Sequence, residues 1–199
     1  MKAAKRSGLA AAIGLALIAP AVAGPALERI KQSGKIIIAH RESSVPFSYV
    51  LPDKKPVGYA VDLCLKVAEA VRKKLDMKAI TPEFMLVTPA NRIQTIADGK
   101  ADMECGSTTN NAERREKVAF AVPHYIAGAR YMVRADSQIE ALPNFDHKKL
   151  VSTKGTTPLK AIDQANRERF LGIQILEAPD TSTSRTSCES GSSRPRWSG

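Results

Sequence analysis

Apolar positions in this chain alternate between a helical and an extended rhythm. Leu27 to Gln32 has the spacing of a short helix closed by Gly34, and Ile36 to Ala39 follows as a continuous apolar strand. His40 to Tyr49 is polar and contains Pro46, which predicts a loop. After Val57-Gly58-Tyr59, the set Val61, Cys64, Val67, Ala68, Val71 and Leu75 keeps one helical face apolar. Phe84 to Val87 predicts a second strand. Thr88 then suits an N-cap with Pro89 at the first helical position, and Ile93, Ile96 and Ala97 form a buried stripe that ends at Gly99. Ala101 to Cys105 predicts a third strand. Strands separated by helices in this order imply an α/β fold with a mainly parallel sheet.

A sheet of this kind binds ligands beyond the carboxyl ends of its strands. His40 and Arg41 follow the first strand, Thr88 to Arg92 the second, and Gly106 to Arg114 the third, so the topology gathers Arg41, Arg92 and Arg114 at one edge. Three guanidinium groups held together repel one another, which makes sense where an anion with more than one charged group fills the space. The alternative is that each is a surface residue or pairs with Glu42, Glu104 or Glu113.

The stretch Glu-Cys-Gly-Ser-Thr-Thr-Asn-Asn-Ala-Glu-Arg at 104 to 114 fits a carboxylate holder and, equally on these residues alone, a plain strand, polar turn and capped helix. Ser107 and Thr109 supply hydroxyls, a helix start supplies backbone N–H groups, and Arg114 supplies a planar fork. Asn110 with Glu113 fits a capping box, which would start that helix at Asn110.

Composition narrows the setting. A hydrophobic fraction of 43% with 25% charged residues is that of a globular protein. The net charge of +10 raises nucleic acid or a membrane surface as a partner until the charge is located. Three of those charges sit in Lys2, Lys5 and Arg6 and a net two in residues 181 to 199, so five are left, spread over the middle. No basic stripe is interleaved with aromatics, and the lone Trp197 lies outside the periodic region, so no nucleic-acid role is expected.

Residues 1 to 23 predict a signal peptide, with a basic start, an apolar stretch from Leu9 to Ala19 and Ala21-Val22-Ala23 as the cleavage site. Export to a periplasm would allow disulfides. Cys64, Cys105 and Cys188 permit at most one internal pair. Cys64 and Cys105 are candidates for it, with two buried thiols as the alternative. No spacing suggests a metal site, and no cofactor is implied.

His40 to Tyr49 (HRESSVPFSY), Gly58-Tyr59, Asn91-Arg92-Ile93 and ECGSTTNNAER together resemble the periplasmic glutamate/aspartate-binding proteins of ABC importers, within the family 3 solute-binding proteins. The resemblance runs from about Leu27 to about Asp180. It implies a type II periplasmic-binding-protein fold of two α/β lobes: lobe 1 over 24–128, a hinge crossing at 129–134, and a partial lobe 2 over 135–180. It further implies that Arg114, Ser107 and Thr109 hold an α-carboxylate, that Arg41 and Arg92 meet an acidic side chain, and that the Gly155-Thr156-Thr157 turn is the opposing wall. On the residues alone, Gly-Thr-Thr-Pro is more often an ordinary helix start. The implied ligand is L-glutamate or L-aspartate, the implied partner an inner-membrane ABC permease, and the protein a monomer.

Two departures qualify this expectation. Pro89 stands where many members carry Ser. From Thr181 to Gly199, ten of nineteen residues are Ser or Thr and the aliphatic residues are absent, so this tail is expected to be disordered. The resemblance implies a ligand-side His, an Asp for the α-ammonium and a return crossing, none of which is recognisable there. A changed reading frame near Asp180 or a truncated copy is expected, with impaired binding. The alternatives are a non-functional fragment, or an enzyme of the dehydratase or lyase kind on the same fold, for which Glu42, Asp62 and Glu104 are the available carboxylates.

Overall fold

A computed structural model describes residues 24–183 and the backbone of 195–198. The predicted signal peptide, Cys188 and most of the serine-rich tail lie outside the described residues. In chain order the elements of the first part are α1 (Pro25–Ser33), β1 (Lys35–His40), β2 (Ser43–Ser44), β3 (Ser48–Val50), β4 (Pro56–Val57), α2 (Tyr59–Lys74), β5 (Thr81–Leu86), α3 (Arg92–Ala97), β6 (Met103–Cys105) and α4 (Ala112–Arg115). These are followed by β7 (Tyr131–Arg134), β8 (Lys149–Thr153), α5 (Thr157–Arg169), β9 (Gln174–Ala178) and β10 (Pro195–Ser198).

β1 is the centre of the first lobe, paired in parallel with β5 on one side and β6 on the other. It is covered on both faces, which explains its unbroken apolar run. Ile36 and Ile38 are fully buried towards α1 and α2, against Ile30, Ala68 and Ala60. Ala39 packs on the opposite face with Val87, Ala101 and Ile96 of α3. This alternation is the two-residue period of a strand. Asp102 fastens the edge: its Oδ2 accepts from the Ile37 N–H at 2.7 Å, and its other oxygen pairs with Arg29. Cys64 of α2 and Cys105 of β6 form a disulfide across the same interface.

The second lobe is built on the parallel pair β8–β9, joined through α5. Ile162 of α5 packs with Leu150, Leu171, Ile173, Phe145, Ile139 and Val133, the last from β7. Asn166 secures the return into β9, accepting from Ile173 N–H at 2.9 Å and donating to its carbonyl at 3.0 Å. Among the described residues no sheet around this core has more than two strands, against three in the first lobe, so it is incomplete beside the first. No described helix is long and apolar enough to cross a membrane.

Four expectations need correction. The segment 40–49 is not a plain loop but part of a small antiparallel sheet in the order β2-β3-β4. Alternation there is too short to register as strand periodicity. The third helix starts at Arg92, not at Pro89, because Thr88 and Asn91 close a turn on each other: Thr88 N–H donates to Asn91 Oδ1 at 2.8 Å and Asn91 N–H to Thr88 Oγ1 at 3.3 Å. The α4 cap is Asn111, not Asn110: its Oδ1 accepts from the Arg114 N–H at 3.0 Å. Both asparagines satisfy the composition of a cap, and only the extended backbone of Asn111 decides between them. Finally, Pro195–Ser198 is a strand rather than disordered chain, pairing antiparallel with β7.

Candidate ligand-binding site

Three strand ends and their following turns deliver the arginines. Arg41 leaves β1 with its backbone N–H bonded to Ser48 Oγ at 2.9 Å and its carbonyl 3.1 Å from His40 Nδ1. Only 2% of Arg41 is exposed. Arg92 opens α3 directly after the Thr88–Asn91 turn and is 3% exposed. Its Nε and Nη1 are buried and have no hydrogen-bond partner. Such groups ordinarily cost stability. Burial holds the Arg92 guanidinium well below the usual arginine range, at about 10, and the charges of Arg41 and Arg114 push in the same direction against the opposing pull of Glu104. Burial also lowers Arg41 and Arg114.

Arg114 spans the gap between lobes. Its Nη1 donates to the Thr109 carbonyl at 2.8 Å and its Nη2 to the Gly155 carbonyl at 3.2 Å. Beside it, Thr109 Oγ1 and Thr157 Oγ1 lie 3.3 Å apart, one from each lobe. Ser107 is exposed, with its hydroxyl 3.5 Å from Ser44 Oγ. Thr156 is committed differently. Its hydroxyl donates to the Thr153 carbonyl at 2.6 Å and accepts from Leu159 N–H as the cap of α5, so Thr157 carries the hydroxyl that faces the first lobe. The lobes touch where Gly155, at φ +74°, meets Pro89 and Ala90; a Cβ there would lie 2.6 Å from Ala90 Cα. Pro89, the residue that departs from the resembling proteins, is therefore part of the contact itself. Lys160 of α5 pairs with Glu113 of α4 across the same boundary, and this pairing lowers the Glu113 carboxyl.

A cavity of about 190 Å³ opens between the lobes, lined by Pro89, Ala90, Arg114, Gly155, Thr157 and Lys160 among others. Arg41, Arg92, Ser107 and Thr109 do not line it, so it lies beside the arginine cluster rather than within it. Two acidic residues act on the cluster: Glu104, which the sequence offers as a possible arginine partner, and Asp180, which it does not. Glu104 acts electrostatically on all three arginines, and Asp180, beyond the end of β9, acts on Arg41. Their sequence signal was position: each lies at or just past the carboxyl end of a parallel strand. No group of three His, Cys, Asp or Glu suited to a metal ion occurs among the described residues.

The sequence profile of the bacterial extracellular solute-binding proteins, family 3, matches residues 36–172. The chain belongs to this family. This solute-binding protein is 38% identical over 184 residues to a glutamate/aspartate import solute-binding protein of Salmonella typhimurium, covering 92% of the chain and 61% of that relative. It is 39% identical over 188 residues to an L-glutamate/L-aspartate-binding protein of Pseudomonas aeruginosa, covering 92% of the chain and 62% of the relative. The solute-binding protein thus spans about three fifths of the length of the curated relatives it matches. The crystal structure of a mutant of ArgBP from T. maritima superposes with a TM-score of 0.72 at 21% identity, covering 86% of this chain and 71% of that one. That likeness shows the fold: two α/β lobes of the type II periplasmic-binding-protein kind, the second incomplete here.

Proposed function

We propose that this chain is the periplasmic solute-binding component of an ABC importer and that its cleft takes L-glutamate or L-aspartate. The observation that carries the reading is Arg92: a buried guanidinium with two unpartnered nitrogens, in a cluster with Arg41 and Arg114. A ligand with two carboxylates is the chemistry that relieves such a cluster, because charge-assisted hydrogen bonds to guanidinium groups are the strong ones.

In this reading Arg114, with Ser107 and Thr109, holds the α-carboxylate. Arg114 has five N–H donors and spends two on Thr109 and Gly155, which leaves the fork able to bind further. Arg41 and Arg92 receive the side-chain carboxylate. Thr157 and the backbone of Thr156 form the facing wall. The names of the relatives, which describe binding proteins for the same pair of amino acids, support the choice of ligand. They also support binding in place of catalysis. The protein works as a monomer that hands its ligand to a membrane permease.

A thermal-shift panel of the mature chain tests this. L-glutamate or L-aspartate should raise the melting temperature while L-glutamine and L-asparagine do not, since the amides carry no second negative charge. Equal shifts for acids and amides would remove the role given to Arg41 and Arg92.

A further inference from the structure

Three arginines in one cleft need a counter-charge in the protein itself, and the fold provides one. Glu104 lies on β6 in register with Ala39 of β1, so its side chain leaves the sheet on the face covered by α3, whose first residue is Arg92. Its Oε1 is buried and has no hydrogen-bond partner. The same oxygen lies 2.6 Å from the point a Gly106 side chain would occupy, and Arg41 Cγ lies 3.1 Å from that point, so the carboxylate and Arg41 flank Gly106 together. Each of the other nearby carboxylates acts on one arginine alone, Glu113 on Arg114 and Asp180 on Arg41, and each has a further partner. Glu113 pairs with Lys160, and Asp180 accepts from Ser182 and Thr183. Glu104 is the carboxylate that acts on Arg41, Arg92 and Arg114 alike.

We propose that Glu104 is a built-in counter-ion that stabilises the unliganded arginine cluster and, by standing in for part of the ligand's charge, weakens the affinity for acidic ligands. It is a positioning and specificity residue: it touches the arginines' field, not the ligand. The physical basis is that a cation cluster binds an anion more tightly when an internal anion is removed, while the uncompensated cluster is itself less stable.

The inference rests on the acidic-ligand reading, and the test separates the two. Glu104→Gln keeps the shape and removes the charge. Its unliganded melting temperature should fall, while calorimetry should show L-glutamate or L-aspartate binding roughly tenfold tighter than in the wild type. A purely structural residue would lower both, and unchanged or weaker binding overturns the proposal. Should Glu104→Gln fail to fold, Glu104→Asp decides: it withdraws the charge by one methylene, and binding tighter by a few-fold supports the proposal whereas weaker binding overturns it. If the wild type binds neither amino acid, the acidic-ligand reading fails. The counter-ion is then judged by melting alone. The deficit of the variant should shrink when sulfate replaces chloride at equal ionic strength, and a deficit that does not respond overturns it.

Discussion

Arg114 of the first lobe donates through Nη2 to the carbonyl of Gly155 in the second, 3.2 Å away, while its Nη1 holds Thr109 at 2.8 Å. One guanidinium thus ties the turn after β6 on its own side to the facing turn on the other. Lysine keeps the charge but cannot present a planar fork to two acceptors. Arg114→Lys is therefore expected to weaken binding of the acidic amino acid by about 10–100-fold, the loss of a charge-assisted hydrogen bond worth about 1.5–3 kcal/mol. Titration calorimetry checks this, and an unchanged Kd would contradict the role.

Gly155 is required twice over. Its φ of +74° suits glycine, and a Cβ would strike the backbone of Ala90 at 2.6 Å and the Pro89 carbonyl at 2.8 Å. Neither neighbour is the flexible end of a side chain. Gly155→Ala should hold the lobes apart, seen as a larger radius of gyration by small-angle scattering and an affinity at least about tenfold lower, since closure needs both lobes in contact. A variant that scatters and binds like the wild type would show that this contact does not govern closure.

The burial of Arg92 fixes the sign of a pH effect. Its folded pKa, at about 10, is below the usual arginine value, so the unfolded chain binds the extra proton in the interval between them. Stability from this group is therefore greatest above the unfolded pKa and is lost as pH falls through about 10. At neutral pH, Arg92→Leu should be more stable than the wild type by about 1–3 kcal/mol, the cost of an unsatisfied buried donor, while losing acidic-ligand binding. That advantage should shrink as both proteins are melted at pH values rising past 10. The comparison cancels the titration of the lysines. A gap that widens with pH would reverse the assignment.

Much of this was legible in the sequence, and the omissions share a cause. The parallel sheet followed from apolar runs separated by helical periods, because β1 is buried on both faces and leaves no polar alternation. Arg41, Arg92 and Arg114 could be placed at one edge because each follows a strand, and strand ends share an edge in such a sheet. Two helix starts were misplaced by competing side-chain bonds. Asn111 and not Asn110 caps α4, and the Thr88–Asn91 turn postpones α3 to Arg92. Side-chain caps depend on a backbone angle that composition does not encode. Glu104 could be named as a possible arginine partner, but its burial was not legible, because a glutamate at a strand end reads as a surface residue until the neighbouring strand and α3 close over it.

The disulfide between Cys64 and Cys105 settles a pairing that the sequence left open against two buried thiols. It spans 41 residues and ends one residue before Gly106, so it ties α2 to the start of the turn after β6. Closing a loop of that length stabilises by roughly 2–4 kcal/mol. Urea denaturation with and without reductant should show a lower midpoint after reduction. Cys64→Ser in non-reducing buffer should reproduce that lower midpoint. Identical midpoints would mean that the pair contributes nothing to the first lobe.

The central claim is that the arginine cluster is a site for an amino acid with two carboxylates. Isothermal titration of the mature chain with L-glutamate, L-aspartate and L-glutamine at neutral pH tests it most directly. The account predicts saturable one-to-one binding of one or both acids, with L-glutamine weaker by about tenfold or more, because the amide leaves Arg41 and Arg92 without an anionic partner. No heat with either acid, or L-glutamine binding as tightly as L-glutamate, would contradict it.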